Sequence, residues 1–291
     1  MKTDHDTAAP ARHPSSGRRT FLRGFTAVAV AALTGCSATD RAGGPAGASP
    51  SAAPAAGAPA ARPLAPSAYR LRPLSGYGPQ RAAPQRLAVR RAPLLSMDFG
   101  PDERAMVLTF DDGPDPRFTP EILRTLRRHQ VRAMFFVCGE MAVENKDLLR
   151  EMADDGHVIG NHTWTHPLLT KLTRARMRPE IERTCEVVHG ATGEAPAWFR
   201  APYGAWNRSA FRLGAELGME PLAWTVDSLD WTTPGTRTIV SRVLGGAAPG
   251  VVVLNHDAGG DRAQSVAALH RYLPRLLDDG YRLTVPRRRG L

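Results

Sequence analysis

From residue 105 to residue 285 the chain alternates short apolar runs with longer stretches whose apolar residues recur every three or four positions. Segments 105–110, 133–138, 157–161, 198–200, 222–226, 251–255 and 281–285 read as strands. Between them, 119–129, 147–154, a stretch from Arg178 or Pro179 to Gly190, 208–217, 236–244 and 261–279 read as helices. Thr119 stands at a capping position, and Gly156, Gly218 and Gly280 punctuate helix ends. Strands separated by helices pair in parallel, because a parallel crossover needs a long connection. About seven such units predict an α/β fold, a distorted, incomplete (β/α)7 TIM-like barrel with parallel strands.

In that architecture all strand C-termini open onto one face, and the reactive residues of this chain fall there. Asp111 and Asp112, His162, Arg200, Asp227 and His256 each lie at or just past the end of an expected strand. The Asp111-Asp112 pair follows an apolar run and is stopped by Gly113-Pro114, so two carboxylates share one strand end. Ionised together they repel, and need a cation or a shared proton.

His162 and His166, four residues apart, supply the matching half. By itself such a spacing is also common on surfaces; beside an acidic pair it makes a three-ligand metal site with open positions. Asp112 is expected as the third ligand and Asp111 as general base. Coordination keeps one carboxylate ionised while the other takes a proton from water. Arg200 can hold Asp111 through its guanidinium fork, and the turn at Pro202-Tyr203-Gly204 can aim a backbone N–H at a developing oxyanion.

His256, with a carboxylate available nearby, reads as an acid kept protonated for a leaving amine. Tyr203, Trp231 and Leu254 are apolar groups near the same face, suited to a sugar ring, although each alone would more often be core. Asp230 is open between a structural and a catalytic part. These spacings alone reach metal-assisted hydrolysis of an amide or ester.

The other end of the chain is built differently. Of 291 residues, the first 98 carry 13 Lys/Arg against 4 Asp/Glu, and the rest carry 25 against 24, so the net charge of +10 sits almost wholly in the N-terminal part. A near-neutral domain without a basic stripe argues against nucleic-acid binding. Residues 37–98 are rich in Ala, Pro, Gly and Arg, and read as a disordered linker joined to a folded domain at 99–291. Its charge either favours anionic surfaces or only keeps the tether soluble.

Arg18-Arg19 before a short apolar run at 25–33 reads as a Tat-type export signal over residues 1–36. Leu33-Thr34-Gly35-Cys36 resembles a bacterial lipobox, with Cys36 lipidated; an ordinary secretory signal with a chance cysteine is the alternative. The expectation is therefore an exported, monomeric lipoprotein on the cell membrane facing the wall, or a secreted protein. Cys138 and Cys185 read as small buried hydrophobes, with a disulfide between them open in an exported chain.

Five ordered motifs, at 109–114, 162–166, 200–204, 227–231 and 254–256, resemble those of the NodB-like polysaccharide deacetylases, carbohydrate esterase family 4. The likeness spans about residues 103–286. It implies a divalent metal, most often Zn and sometimes Co or Ni, held by Asp112, His162 and His166. It further implies Asp111 as base partnered by Arg200, His256 as acid partnered by Asp227, the Tyr203 backbone as oxyanion donor, and Trp231 and Leu254 lining the sugar groove. The reaction implied is removal of N-acetyl groups from N-acetylglucosamine units of peptidoglycan or a chitin-like polysaccharide. An O-acetyl (xylan-type) esterase and a tethered carbohydrate-binding pseudoenzyme are the alternatives.

Overall fold

Seven of eight strands lie side by side in one continuous order, and all are parallel. The computed structural model describes residues 87–100 and 103–286. The expected signal peptide with its Cys36, and the expected linker up to residue 86, lie outside the described residues. In chain order the elements are β1 (Ala105–Asp111), α1 (Thr119–Arg128), β2 (Met134–Val137), α2 (Gly139–Glu144), α3 (Lys146–Asp154), β3 (Val158–Asn161), α4 (Arg174–Thr192) and β4 (Trp198–Phe199). Then come α5 (Arg208–Glu216), β5 (Glu220–Pro221), β6 (Val226–Asp227), α6 (Thr236–Gly245), β7 (Val252–His256), α7 (Ala263–Asp278) and β8 (Arg282–Leu283).

The sheet runs β5-β4-β3-β2-β1-β7-β6, with β8 added beside the start of β1. Its central strand, β1, is buried at all seven positions, as a strand covered on both faces must be. Met106, Leu108 and Phe110 face outward into the layer formed with α1, α6 and α7, while Val107 packs with Met134, Phe136, Trp198, Leu222 and Val252 on the inner side. An incomplete (β/α) barrel is thus what the chain forms.

The barrel is open where the chain passes from β5 to β6 without a helix. The single strand expected at 222–226 is in fact this crossing. Pro221 ends the pairing with β4, and Val226 begins the pairing with β7. Residues 94–97 fill the gap: Leu94 donates its N–H to Pro221 O and accepts from Ala223 N, and Met97 N–H donates to Gly250 O. The expected domain start at residue 99 is therefore too late, because the edges of an unclosed sheet have N–H and C=O groups that a further extended segment can satisfy.

Helix α4 also begins earlier than its proline implied. Pro179 sits inside it, on the exposed face, where the carbonyl left without its usual partner belongs to exposed Ala175 and can be hydrated. Thr119 opens α1 rather than capping it; its hydroxyl serves a tertiary bond to Asp257 instead. Cys138 is buried, Cys185 is partly buried among Met219 and its neighbours, and both are free thiols. Among the described residues, no helix is long and apolar enough to cross a membrane.

Candidate active site

The C-terminal ends of β1, β3, β4, β6 and β7 converge on a cavity of about 640 Å³. Asp111, Asp112, His162, His166, Tyr203, Asp227, Trp231, Leu254 and His256 all line it, so every side chain expected there is present except Arg200, which lies beneath the floor.

Asp112 has a left-handed backbone (φ 78°). Its Oδ1 lies 3.5 Å from His162 Nε2 and 3.3 Å from His166 Nε2. His162 Nδ1 donates to Arg200 O at 2.8 Å, which leaves Nε2 as the nitrogen with a free lone pair. Burial drives the His162 pKa down to about 3, so this imidazole is neutral and able to ligate. Asp112 Oδ1 is buried and has no hydrogen-bond partner. A buried carboxylate oxygen without a donor is costly, and facing two imidazole nitrogens it has the chemistry of a cation ligand. Together the three offer ligand atoms within 4.8 Å of one another. The donor set of two nitrogens and one oxygen, with room left on the cavity side, fits a divalent metal.

Asp111 also reaches His162, its Oδ2 lying 3.6 Å from Nε2. Its Oδ1 accepts from Arg200 Nη1 at 2.6 Å, and the same nitrogen reaches Thr109 Oγ1 at 2.8 Å. Arg200 is fully buried, donates further to Leu222 O and Ala223 O, and stacks its guanidinium 4.0 Å over the Phe136 ring. Burial raises the Asp111 carboxyl above its ordinary range, with Arg200 pulling the opposite way; burial likewise weakens Arg200 as a cation, with Asp111 restoring it. Each ion is tolerable only because the other is there.

Across the cavity, the partner expected for His256 is corrected. Asp230, not Asp227, accepts from His256 Nδ1, at 2.7 Å, and from its backbone N–H at 2.9 Å, with a third bond from Ser265 Oγ at 2.6 Å. Asp227 accepts from Leu229 N–H at 2.8 Å, two residues on. That local turn carries the chain into the short 3-10 helix at Asp230–Thr232, which delivers the second aspartate. Burial opposes a charge on either partner. It is outweighed at Asp230, whose carboxyl is held below its ordinary range, and at His256, whose pKa rises to about 9 through Asp230, Asp111 and Asp112. Asp227 is half-buried, and burial moves its carboxyl up.

Several contributors had no clear signal in the sequence. Trp164, Trp224 and Arg262 also line the cavity. Asp257 accepts from Gly113 N–H at 3.1 Å and Thr119 Oγ1 at 2.6 Å, and so pins the turn after the paired aspartates. A side chain at Gly113 would collide with it at 2.1 Å, which is why that position needs glycine. The Tyr203 ring meets His166 edge-on at 4.5 Å, its backbone left-handed at φ 60°.

Residues 100–222 match the family model described as polysaccharide deacetylase. A peptidoglycan-N-acetylglucosamine deacetylase of Bacillus cereus is 41% identical over 190 residues, covering 64% of this chain and 69% of that protein. A chitooligosaccharide deacetylase of Rhizobium leguminosarum bv. trifolii is 38% identical over 208 residues, 67% of this chain and 97% of that one. The crystal structure of a peptidoglycan N-acetylglucosamine deacetylase superposes with a TM-score of 0.62 at 38% identity, covering 66% of this chain and 89% of the other. The chain belongs to the polysaccharide deacetylase family, the NodB-like carbohydrate esterase family 4.

Proposed function

We propose that this protein hydrolyses N-acetyl groups from N-acetylglucosamine units of peptidoglycan or a chitin-like polysaccharide, giving free amine and acetate. The observation that carries the reading is the pair of oppositely wired ionisable groups, Asp111 and His256, on either side of an open three-ligand site. Asp112, His162 and His166 would hold a divalent cation, most simply Zn²⁺ for this nitrogen and oxygen donor set. When bound, such a cation supplies Lewis-acid polarisation of a carbonyl and lowers the pKa of water.

The remaining work belongs to the chain. Asp111 Oδ2 takes the proton of the attacking water, and Arg200 stops the base from swinging onto the cation by fixing Oδ1. The Tyr203 backbone N–H is proposed as donor to the developing oxyanion, its left-handed turn setting the direction. His256 uses Nδ1 for Asp230, so Nε2–H is the proton given to the departing nitrogen. Trp231, half exposed, and Leu254 give the sugar ring an apolar wall.

An imidazole with a pKa near 9 is protonated at neutral pH, and an amine cannot leave without a proton, so the site suits amide hydrolysis more than ester hydrolysis. Acetate release decides it: the full chain loaded with Zn²⁺ is incubated with N-acetylglucosamine oligomers, peptidoglycan and acetylated xylan. Release from the first two that vanishes on chelation supports the reading; release only from xylan would replace it with the esterase. For localisation we propose export with lipidation at Cys36, the basic segment behind it reaching toward the wall. Cys36→Ser is then expected to move the protein from the detergent phase to the aqueous phase, and unchanged partitioning would refute the anchor.

A further inference from the structure

The two imidazoles of the metal site sit on a loop with an unusual backbone. Between β3 and α4, Thr163 (φ 71°) and His166 (φ 55°) are both left-handed, a conformation that side chains other than glycine adopt at a cost. A loop of this kind keeps its shape only if its surroundings hold it. From one side the start of α2 does so: Gly139 N–H donates to Thr163 O at 2.9 Å and Glu140 N–H to Trp164 O at 3.2 Å.

From the other side, that of α4, Asn161 Oδ1 accepts from Thr163 N–H at 2.9 Å while its Nδ2 donates to Ile181 O at 2.8 Å, and a carboxylate holds the middle of the loop. Glu180, on α4, accepts from Trp164 N–H at 3.0 Å and Thr165 N–H at 2.8 Å with Oε2, and from Thr165 Oγ1 at 3.0 Å with Oε1. One turn further along the same helix face, the Arg183 guanidinium lies 3.8 Å over the Trp164 ring. Both amides capped by Glu180 lie between His162 and His166, and Glu180 is itself none of the three ligands.

We propose that Glu180 is a positioning residue for the metal centre: by capping the Trp164 and Thr165 amides it fixes the left-handed loop that points His166 Nε2 at Asp112. This rests on the metal reading of Asp112, His162 and His166. Without the carboxylate, the two amides are free to turn to water and the loop relaxes towards right-handed backbone. His166, part-exposed and at the far end of the loop, then loses its aim, while His162 stays tied to Arg200 O.

Zinc titration against a chromophoric chelator tests this on the full-length protein, its Glu180→Ala and its Glu180→Gln variants, with the thermal midpoint of each metal-free form measured in parallel. The expected result is about 10–100-fold weaker zinc binding for Glu180→Ala. A smaller loss is expected for Glu180→Gln, which retains one carbonyl acceptor and the side-chain volume and carries the comparison if the alanine variant does not fold. A parent that binds no zinc would overturn the metal reading itself. A parent that binds zinc, with variants that melt earlier yet hold it equally well, would show Glu180 to be ordinary helix–loop glue and end the proposal.

Discussion

The site contains two carboxylate–cation pairs built in opposite senses. In the Asp111–Arg200 pair the cation is wholly enclosed and the carboxylate reaches the cavity; in the Asp230–His256 pair the carboxylate is wholly enclosed and the imidazolium, 13% exposed, reaches the cavity. The inner member of each pair has its other bonds to fixed protein groups, Leu222 O and Ala223 O for Arg200, Ser265 for Asp230. It therefore cannot respond to substrate. The outer member can, and its charge decides what it does there, since an anion takes a proton and a cation gives one. In the proposed mechanism, one pair design, reversed, serves as base on one wall and acid on the other.

Breaking the outer member should cost most. Asp111→Asn removes the base while keeping its size, and turnover of an N-acetylglucosamine oligomer is expected to fall by about 10²–10⁴ with zinc binding intact. An active Asp111→Asn would remove that assignment. Arg200→Met attacks the inner member of the same pair and leaves a buried carboxylate alone, which costs about 3–5 kcal/mol on breaking such a pair. Denaturant unfolding of the metal-free protein would show it, and near-parental stability would mean the two charges are less coupled than their 2.6 Å contact implies.

Asp230→Asn tests the reversed pair, with an expected loss of about 10–100-fold in turnover and a change in pH dependence. With a folded pKa of about 9 against an ordinary 6.5, the protonated His256 acid is present at neutral pH and lost as pH rises through about 9. The stability contributed by the raised His256 pKa follows the same sign, full below about 6.5 and fading through the same range. In Asp230→Asn the largest of the opposing causes is lost and only Asp111 and Asp112 remain against burial, so the alkaline limb should move down from about 9. A limb that stays near 9 would remove Asp230 as the partner. The smallest effect is expected for Asp227→Asn, whose carboxylate serves only the Leu229 amide among the described contacts. A change of about 0.5 kcal/mol, roughly a factor of two in rate, with the alkaline limb unmoved, is the expected outcome. A shifted limb there would restore Asp227 to His256.

The strand–helix rhythm, the face shared by the strand ends and the cluster of Asp112, His162 and His166 are all legible in the residues alone, because each depends on short-range pattern: a buried strand needs a continuous apolar run, and the residues at its end inherit its position. Strand 222–226 and the boundary at residue 99 mislead for the complementary reason. Whether Leu94 or Val253 pairs with a given extended stretch depends on where distant edges meet, and no local pattern encodes that. The choice between Asp227 and Asp230 has the same origin. Three residues apart and equally acidic, they differ only in that the first folds back on its own backbone, while the second is swung beneath His256.

Residue type and spacing are therefore enough to specify the parallel (β/α) architecture, the family, and the set of groups gathered at the strand ends. Packing alone settles which member of each ion pair is enclosed, how the barrel's open seam is filled, and which carboxylate from α4 holds the His162 and His166 loop. Those are contacts across 15 residues of chain (Thr165 to Glu180) up to 153 (Met97 to Gly250), and their geometry exists only once the elements have packed.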